Sequence, residues 1–300
     1  MNILIVGLGL AGAGFGSTES DNHAAVSVRY GLKIIGGIDP NHEKKYAFAS
    51  NFKAPTFDKL EDTVHLLPDV IAIAADAESH ISLIKKSLSI FPKAVLICEK
   101  PFGISYQESM KALRGIQREP KKIMVNYSRQ FSEGYQELIS NLKGNLVNGT
   151  ILYNYGIARS CSHYLRLCIG LFGAPKNVKV TPKLGSADDN PSFSLVYENN
   201  SRIDFIGVED SNVRIAEFYL TTELHFLTIN QASYWKIIEI NEHKSPSWER
   251  ECPEVKSGSL TGGLEKLYER LIHGNIDFFS LDTTLDALPN SIIESVLSND

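Results

Sequence analysis

Long apolar runs, paired cysteines and an excess of positive charge are all missing from this 300-residue chain. Without 18 consecutive apolar residues there is no candidate membrane-spanning helix. No basic stretch followed by an apolar signal core precedes the first strand either, and the expectation is a cytosolic protein. Acidic residues outnumber basic ones by 35 to 30, for a net charge of −5. Nucleic-acid surfaces concentrate Lys and Arg, whereas Lys85-Lys86 and Lys121-Lys122 read as solvated helix and turn positions. Neither a nucleic acid nor a membrane is therefore expected as a partner. The four cysteines, Cys98, Cys161, Cys168 and Cys252, lack C-x-x-C spacing and read as reduced core residues. No metal site is expected, and the chain has no internal repeat or low-complexity tract.

What is present begins at the N-terminus. The apolar run Ile3 to Val6 leads into Gly7-x-Gly9-x-x-Gly12, and a second strand, Lys33 to Ile38, ends in Asp39. In a dinucleotide-binding β-turn-α unit the first glycine makes the tight turn. The second admits backbone close to a pyrophosphate, and the third allows close helix-strand packing. The anion then lies on free N–H groups at the helix N-terminus. A carboxylate at Asp39 can grip the ribose hydroxyls of NAD and repel the 2′-phosphate of NADP, while Lys44 and Lys45 nearby keep NADP open. The spacing from Gly12 to Asp39 exceeds the usual interval of about 20 residues, which calls for a longer helix or an inserted loop between Gly14 and His23.

At this length two domains are the default. The first half alternates strand and helix patterns. After a short helix within Pro40–Asn51 and a turn at Pro55–Leu60 come a buried strand, Asp69–Ala74, and a helix, Glu78–Ile90, with Ile81, Ile84 and Leu88 on one stripe. A strand Ala94–Cys98 then runs into Glu99-Lys100-Pro101, followed by a helix Ser105–Arg118 and a strand Lys122–Asn126. Strand ends of this kind deliver their residues to the ligand edge of a doubly wound sheet.

Taken in order, Gly7-x-Gly9-x-x-Gly12, Asp39, His80, Cys98-Glu-Lys-Pro-Phe102 and Val125-Asn-Tyr-Ser-Arg-Gln-Phe131 resemble the glucose-fructose oxidoreductase and inositol dehydrogenase family. One departure is Ala75-Asp-Ala77, where the family more often has a Thr-Pro turn. The resemblance implies an α/β fold: an N-terminal Rossmann domain with a doubly wound parallel sheet (residues 1–127), then an α+β domain with an open, mostly antiparallel sheet (residues 128–300). It also implies a nicotinamide-dependent oxidoreductase acting on sugars or cyclitols, with NAD as cofactor and NADP as the alternative. The cofactor contacts it implies are Gly7, Gly9, Leu10, Ala11, Gly12, Asp39, Ala75, His80, Glu99 and Lys100. Lys100 would stabilise the reacting oxygen. Tyr127 and Arg129 fall on the substrate side.

In the second half a linking helix Ser132–Leu142 and a long strand Asn145–Tyr155 precede Gly156 to Pro175. The resemblance places its proton-transferring histidine at His163 and ends that helix near Gly173-Ala-Pro175. Where the family commonly has Asp or Asn four residues earlier and often Asp three residues later, this chain has Arg159 and Arg166. On one α-helical face two guanidinium groups would favour a neutral His163, as a general base requires. They would also suit a carboxylate- or phosphate-bearing substrate, such as a uronate or nucleotide-linked sugar of surface polysaccharide. Equally, they would mark a degenerate site in a non-catalytic, dinucleotide-binding scaffold or sensor.

Strands are then expected at Val178–Val180, Phe193–Tyr197, Ile203–Val208, Arg214–Leu220, Glu223–Ile229 and Tyr234–Ile240. Trp235 and Trp248 read as packing residues. Helical stripes follow in Gly263–His273 and Ser291–Leu297, with Pro289 expected to end or kink any helix begun near Leu281. The family resemblance implies a homo-oligomer assembled through the second sheet.

Overall fold

The structure is a computed structural model. It describes residues 1–16, 21–116, 123–181, 190–209, 212–239, 254–274 and 283–298. The chain divides into two compact units, the first made of Met1–Ser128 and Leu264–Asn290, the second of Arg129–Gly263 and Ser291–Asp300. The return of Leu264–Asn290 to the first unit has no counterpart in the sequence reading.

In the first unit the strands are β1 (Asn2–Val6), β2 (Lys33–Ile38), β3 (Thr56–Phe57), β4 (Val70–Ile73), β5 (Val95–Glu99) and β6 (Ile123–Asn126). They form one parallel sheet in the order β3-β2-β1-β4-β5-β6. This is the doubly wound order, and its connections reverse direction between β1 and β4. The helices are α1 (Leu10–Ala13), α2 (His23–Arg29), α3 (His42–Phe52), α4 (Ala77–Ile90) and α5 (Tyr106–Ile116). Strands β1 and β4 are apolar and buried along almost their whole length because helices cover both faces. On α4 the Ile81, Ile84 and Leu88 stripe joins Ile71, Ile73 and Leu96 in one core cluster.

The long interval from Gly12 to Asp39 contains the one-turn α1, a 3-10 turn over Gly14–Gly16 and then α2, which Asn22 caps by accepting from Ala25 N–H at 2.9 Å. Strand β3 falls where a turn was expected, pairing Gly37 with Thr56 and Ile38 with Phe57. Two residues carry too little pattern to announce a strand.

The second unit opens with a 3-10 turn over Ser128–Phe131, then α6 (Glu133–Asn141) and β7 (Leu146–Tyr153). A π-helix, Gly156–Cys161, runs into α7 (Ser162–Phe172). Strands β8 (Asn177–Val180), β9 (Phe193–Val196), β10 (Arg202–Gly207), β11 (Ala216–Thr222), β12 (His225–Asn230), β13 (Tyr234–Glu239) and β14 (Glu254–Ser259) follow. Helices α8 (Gly263–Ile272) and α9 (Thr283–Leu297) close the chain. The sheet runs β14-β13-β12-β11-β7-β10-β9-β8, antiparallel except for the parallel pair of β10 with β7. Its buried face carries Ile151, Phe205, Phe218 and Trp235, all within 1% of full burial.

The structure departs from the sequence pattern at further points. Strand β11 starts at Ala216 rather than Arg214, because Ile215 leaves the ladder to exchange bonds with Asn154: its N–H donates to Asn154 Oδ1 at 2.9 Å and its carbonyl accepts from Asn154 N–H at 3.2 Å. Strand β14 was not expected, since Glu-Val-Lys-Ser-Gly-Ser lacks an apolar alternation. Of the two outcomes expected at Pro289, ending the helix is excluded, since the residue lies inside α9, which runs on to Leu297. Trp248, Cys252, Leu281 and Ile240 lie outside the described residues.

Candidate cofactor and substrate sites

The glycine turn sits at the reversal point of the first sheet. Gly7 has φ +89°, and a Cβ there would lie 2.6 Å from the Ala74 carbonyl, so both conformation and space require glycine. A Cβ on Gly12 would lie 1.8 Å from the Gly7 carbonyl oxygen, which fixes how closely α1 meets the turn. Gly9 is different: its Cβ would meet only Lys44 Nζ, at 3.8 Å. Backbone at Gly9 thus faces open space, and the first N–H groups of α1 have no side-chain cap.

A cleft of about 600 Å³ opens here, lined among others by Gly7, Gly9, Leu10, Asp39 and Ala75. That volume is in the usual range for a small-molecule site. Asp39 is 5% exposed at its rim. Leu8 N–H donates to Asp39 Oδ2 at 2.9 Å and Asn41 N–H donates to Oδ1 at 2.8 Å. The two backbone donors orient the carboxylate and leave lone pairs for hydroxyl groups. Lys44 Nζ is 3.7 Å from Oδ2, whereas Lys45 is engaged with Asp58. Only Lys44 of the two lysines lines the cleft. An open glycine backbone, uncapped N–H groups and an oriented carboxylate fit a nicotinamide dinucleotide.

At the end of β5, Glu99 is anchored rather than free. Its Oε1 accepts from Asn126 Nδ2 at 2.6 Å and meets His23 Nε2 at 3.1 Å, and Oε2 accepts from Lys100 N–H at 3.3 Å. His23, fully buried, makes its other ring contact with the Tyr268 hydroxyl at 2.8 Å. Burial by itself would raise the Glu99 pKa, but the His23 bond and charge, the Asn126 bond and the Lys100 charge outweigh it and hold the carboxyl below its ordinary value. Lys100, partly buried, follows at the strand end.

His80 is 1% exposed, with Nδ1 2.7 Å from the Pro101 carbonyl oxygen and Nε2 2.8 Å from that of Ala75. Both ring nitrogens face backbone carbonyl oxygens, and a neutral imidazole donates to one of them. The ring therefore lies between the turn after β4 and the turn after β5.

Tyr127 belongs to the first unit and is 2% exposed. In the second unit His163 lies in the first turn of α7, partly buried. The expectation of Arg159, His163 and Arg166 on one α-helical face assumed α spacing, but Gly156–Cys161 is a π-helix, whose wider turn breaks that phase. The Arg159 side chain lies outside what is described.

Arg166 is 8% exposed. Its Nη1 and the Tyr135 hydroxyl both approach Gly170, and its positive charge favours ionisation of Tyr135 although burial pushes that hydroxyl's pKa up. Arg129 donates from Nε to the Ala232 carbonyl at 2.7 Å. Arg214, which the sequence reading passed over as the start of a strand, reaches the Tyr164 hydroxyl with Nη2 at 3.4 Å. Cys98, Cys161 and Cys168 are buried free thiols whose pKa values burial pushes up. Among the described residues no helix is long and apolar enough to cross a membrane.

Residues 1–127 match the model of an oxidoreductase family with an NAD-binding Rossmann fold, GFO_IDH_MocA. No curated protein matches the chain in sequence. Among solved structures, UDP-N-acetylglucosamine 3-dehydrogenase GnnA from Acidithiobacillus ferrooxidans has a TM-score of 0.79 at 13% identity, covering 99% of this chain and 97% of its own. Levoglucosan dehydrogenase, in complex with NADH and levoglucosan, has a TM-score of 0.74 at 11% identity, covering 100% and 98%. Biliverdin reductase from a Synechocystis species, in complex with biliverdin and NADP+, has a TM-score of 0.74 at 14% identity, covering 99% and 98%. At such identities the likeness establishes the fold.

Proposed function

We propose that this chain, whose residues 1–127 match an oxidoreductase family with an NAD-binding Rossmann fold, oxidises or reduces a secondary alcohol of a sugar derivative. The observation that carries the reading is the cleft at the glycine turn, where open backbone at Gly9 and the backbone-held carboxylate of Asp39 stand together. A nicotinamide bound there supplies hydride chemistry. The chain's own residues do the rest. Gly9, Leu10 and Ala11 offer backbone to the diphosphate, and Asp39 accepts from ribose hydroxyls, which favours NAD over NADP. His80 and Glu99 hold Ala75, Pro101 and Lys100 in place. Lys100 hydrogen-bonds the reacting oxygen, and the His163 imidazole exchanges its proton.

Tyr127 and Arg129 face the substrate in this reading, with Arg159 and Arg166 as further guanidinium candidates. The solved relatives named for an N-acetylglucosamine nucleotide and for levoglucosan support a sugar as the substrate class. The outer face of the second sheet carries exposed Ile206 and Tyr219 and supports assembly with a second copy. A cytoplasmic setting and a role in surface-polysaccharide sugars complete the proposal.

The test is turnover of a panel of neutral, acidic and nucleotide-linked sugars with NAD+ or NADH, read by nicotinamide absorbance. Turnover is expected with at least one sugar, and Lys100→Ala is expected to lower kcat by roughly 100-fold or more. Folded, NADH-binding protein that turns over no sugar in the panel would sink the sugar-oxidoreductase reading.

A further inference from the structure

One end of the second sheet gathers positive charge that no described carboxylate balances. Arg129 Nε donates to the Ala232 carbonyl, and Ala232 N–H donates to the Ala216 carbonyl at 2.7 Å, so the guanidinium is tied to the head of β11. Two residues before that strand, Arg214 Nη2 reaches the hydroxyl of Tyr164 on α7. Tyr164 is fully buried, its ring edge-on to Phe218 of β11 at 5.4 Å, and it follows His163 directly in sequence. Arg129, Arg214 and Tyr164 are thus fixed to one another through β11.

Among the described residues neither Arg129 nor Arg214 forms an ion pair with Asp or Glu. Arginines elsewhere in the structure do: Arg29 meets Asp21 and Glu265, and Arg202 meets Asp204. Burial disfavours the charge on Arg129 and outweighs the opposing influence of Tyr164, and the like charge of Arg214 adds to it, holding the Arg129 pKa below the ordinary arginine value. An uncompensated guanidinium in partial burial is costly. After its Nε bond, Arg129 still carries four N–H donors on its two Nη groups.

We infer that Arg129 and Arg214, the latter positioned by the buried Tyr164 hydroxyl, form an anion-binding subsite in the second unit that takes the carboxylate or phosphate of an acidic sugar. The subsite deepens the sugar-oxidoreductase reading and rests on it for the sugar. The oxyanion itself follows from the charge and the unused donors: guanidinium groups recognise a planar carboxylate or a phosphate by charge-assisted, bidentate bonds. Arg129, rather than Arg166, is then the guanidinium that selects substrate.

The test is calorimetric titration of the full chain with glucuronate (carboxylate arm), glucose 1-phosphate (phosphate arm) and neutral glucose. It is run on wild type, Arg214→Gln and Tyr164→Phe, with NADH titrated into each. Arg214→Gln removes an exposed side chain with one long hydrogen bond, and Tyr164→Phe keeps the buried ring, so both are expected to fold. Wild type is expected to bind at least one acidic sugar more tightly than glucose. Arg214→Gln should weaken that binding roughly 10-fold to 100-fold, and Tyr164→Phe by less, with NADH affinity unchanged. Whichever arm binds names the source of the anion.

The subsite is overturned if neither acidic sugar binds better than glucose, or if both variants bind it within twofold of wild type. That result with NADH still bound leaves the oxidoreductase reading standing. Loss of NADH binding in folded wild type sinks the oxidoreductase reading whatever the sugars do.

Discussion

The three glycines of the turn are alike in sequence and differ in what surrounds them. A Gly12 Cβ would stand 1.8 Å from a backbone oxygen, and backbone cannot yield as a flexible side chain can. Gly12→Ala is therefore expected to cost roughly 3 kcal/mol of stability in urea denaturation, with NADH binding lost alongside. A Gly9 Cβ has only the Lys44 ammonium at 3.8 Å, and its φ of −75° suits alanine. Gly9→Ala should therefore keep wild-type stability and still lose NADH affinity, because the methyl occupies the diphosphate's place. Equal losses of stability in the two variants would contradict this separation. At the other end of the cleft, Asp39→Ser removes the carboxylate and leaves Lys44 as the nearby charge. The NAD-over-NADP affinity ratio is expected to fall at least tenfold, about 1.4 kcal/mol; an unchanged ratio would count against Asp39 as the ribose ligand.

At the scale of elements, the parallel sheet was legible because its strands are short apolar runs buried on both faces, and the helix stripe of Ile81, Ile84 and Leu88 repeats every three or four residues. What stayed hidden was set by partners far away in sequence. His23 lies 76 residues from Glu99 and 245 from Tyr268, so nothing local marks it as a ligand of the β5 terminus. Arg214 looked like the first residue of a strand because Ile215 continues the apolar pattern; Asn154, the residue after β7, draws Ile215 off the ladder through its side chain and its backbone N–H. The π-helix before α7 likewise has no periodicity distinct from an α-helix over six residues.

Glu99 offers a test at this scale. Its pKa is lowered in the folded state, so the stability it contributes is fully present above its ordinary value of 4.5 and is lost as pH falls through the lower folded value. Wild type is expected to lose stability across that acid window, while Glu99→Gln shows a flatter acid limb in thermal melts. Identical acid limbs would show that the His23 and Asn126 bonds do not hold the carboxylate.

For the whole molecule, the sequence divided naturally at the end of β6, where the alternating pattern stops. It gave no hint that Leu264–Asn290 returns to the first unit, since its stripe of Leu264, Leu267 and Leu271 says that a face is buried and not what buries it. The second sheet raises the same question on its outer side. Ile206 and Tyr219, 39% and 42% exposed, stand on the face opposite Phe205 and Phe218. In light scattering the protein is expected above the 33.3 kDa of one chain, and the double variant Ile206→Asp with Tyr219→Glu at the single-chain mass. A wild type at the single-chain mass would remove the case for that interface.

The central claim is that the cleft at the glycine turn holds a nicotinamide dinucleotide, and calorimetric titration of NADH into wild type and Gly9→Ala tests it most directly. Saturable binding at one site per chain in wild type, lost in an equally stable Gly9→Ala, is the result predicted. No binding to folded wild type, or undiminished binding to Gly9→Ala, would contradict it.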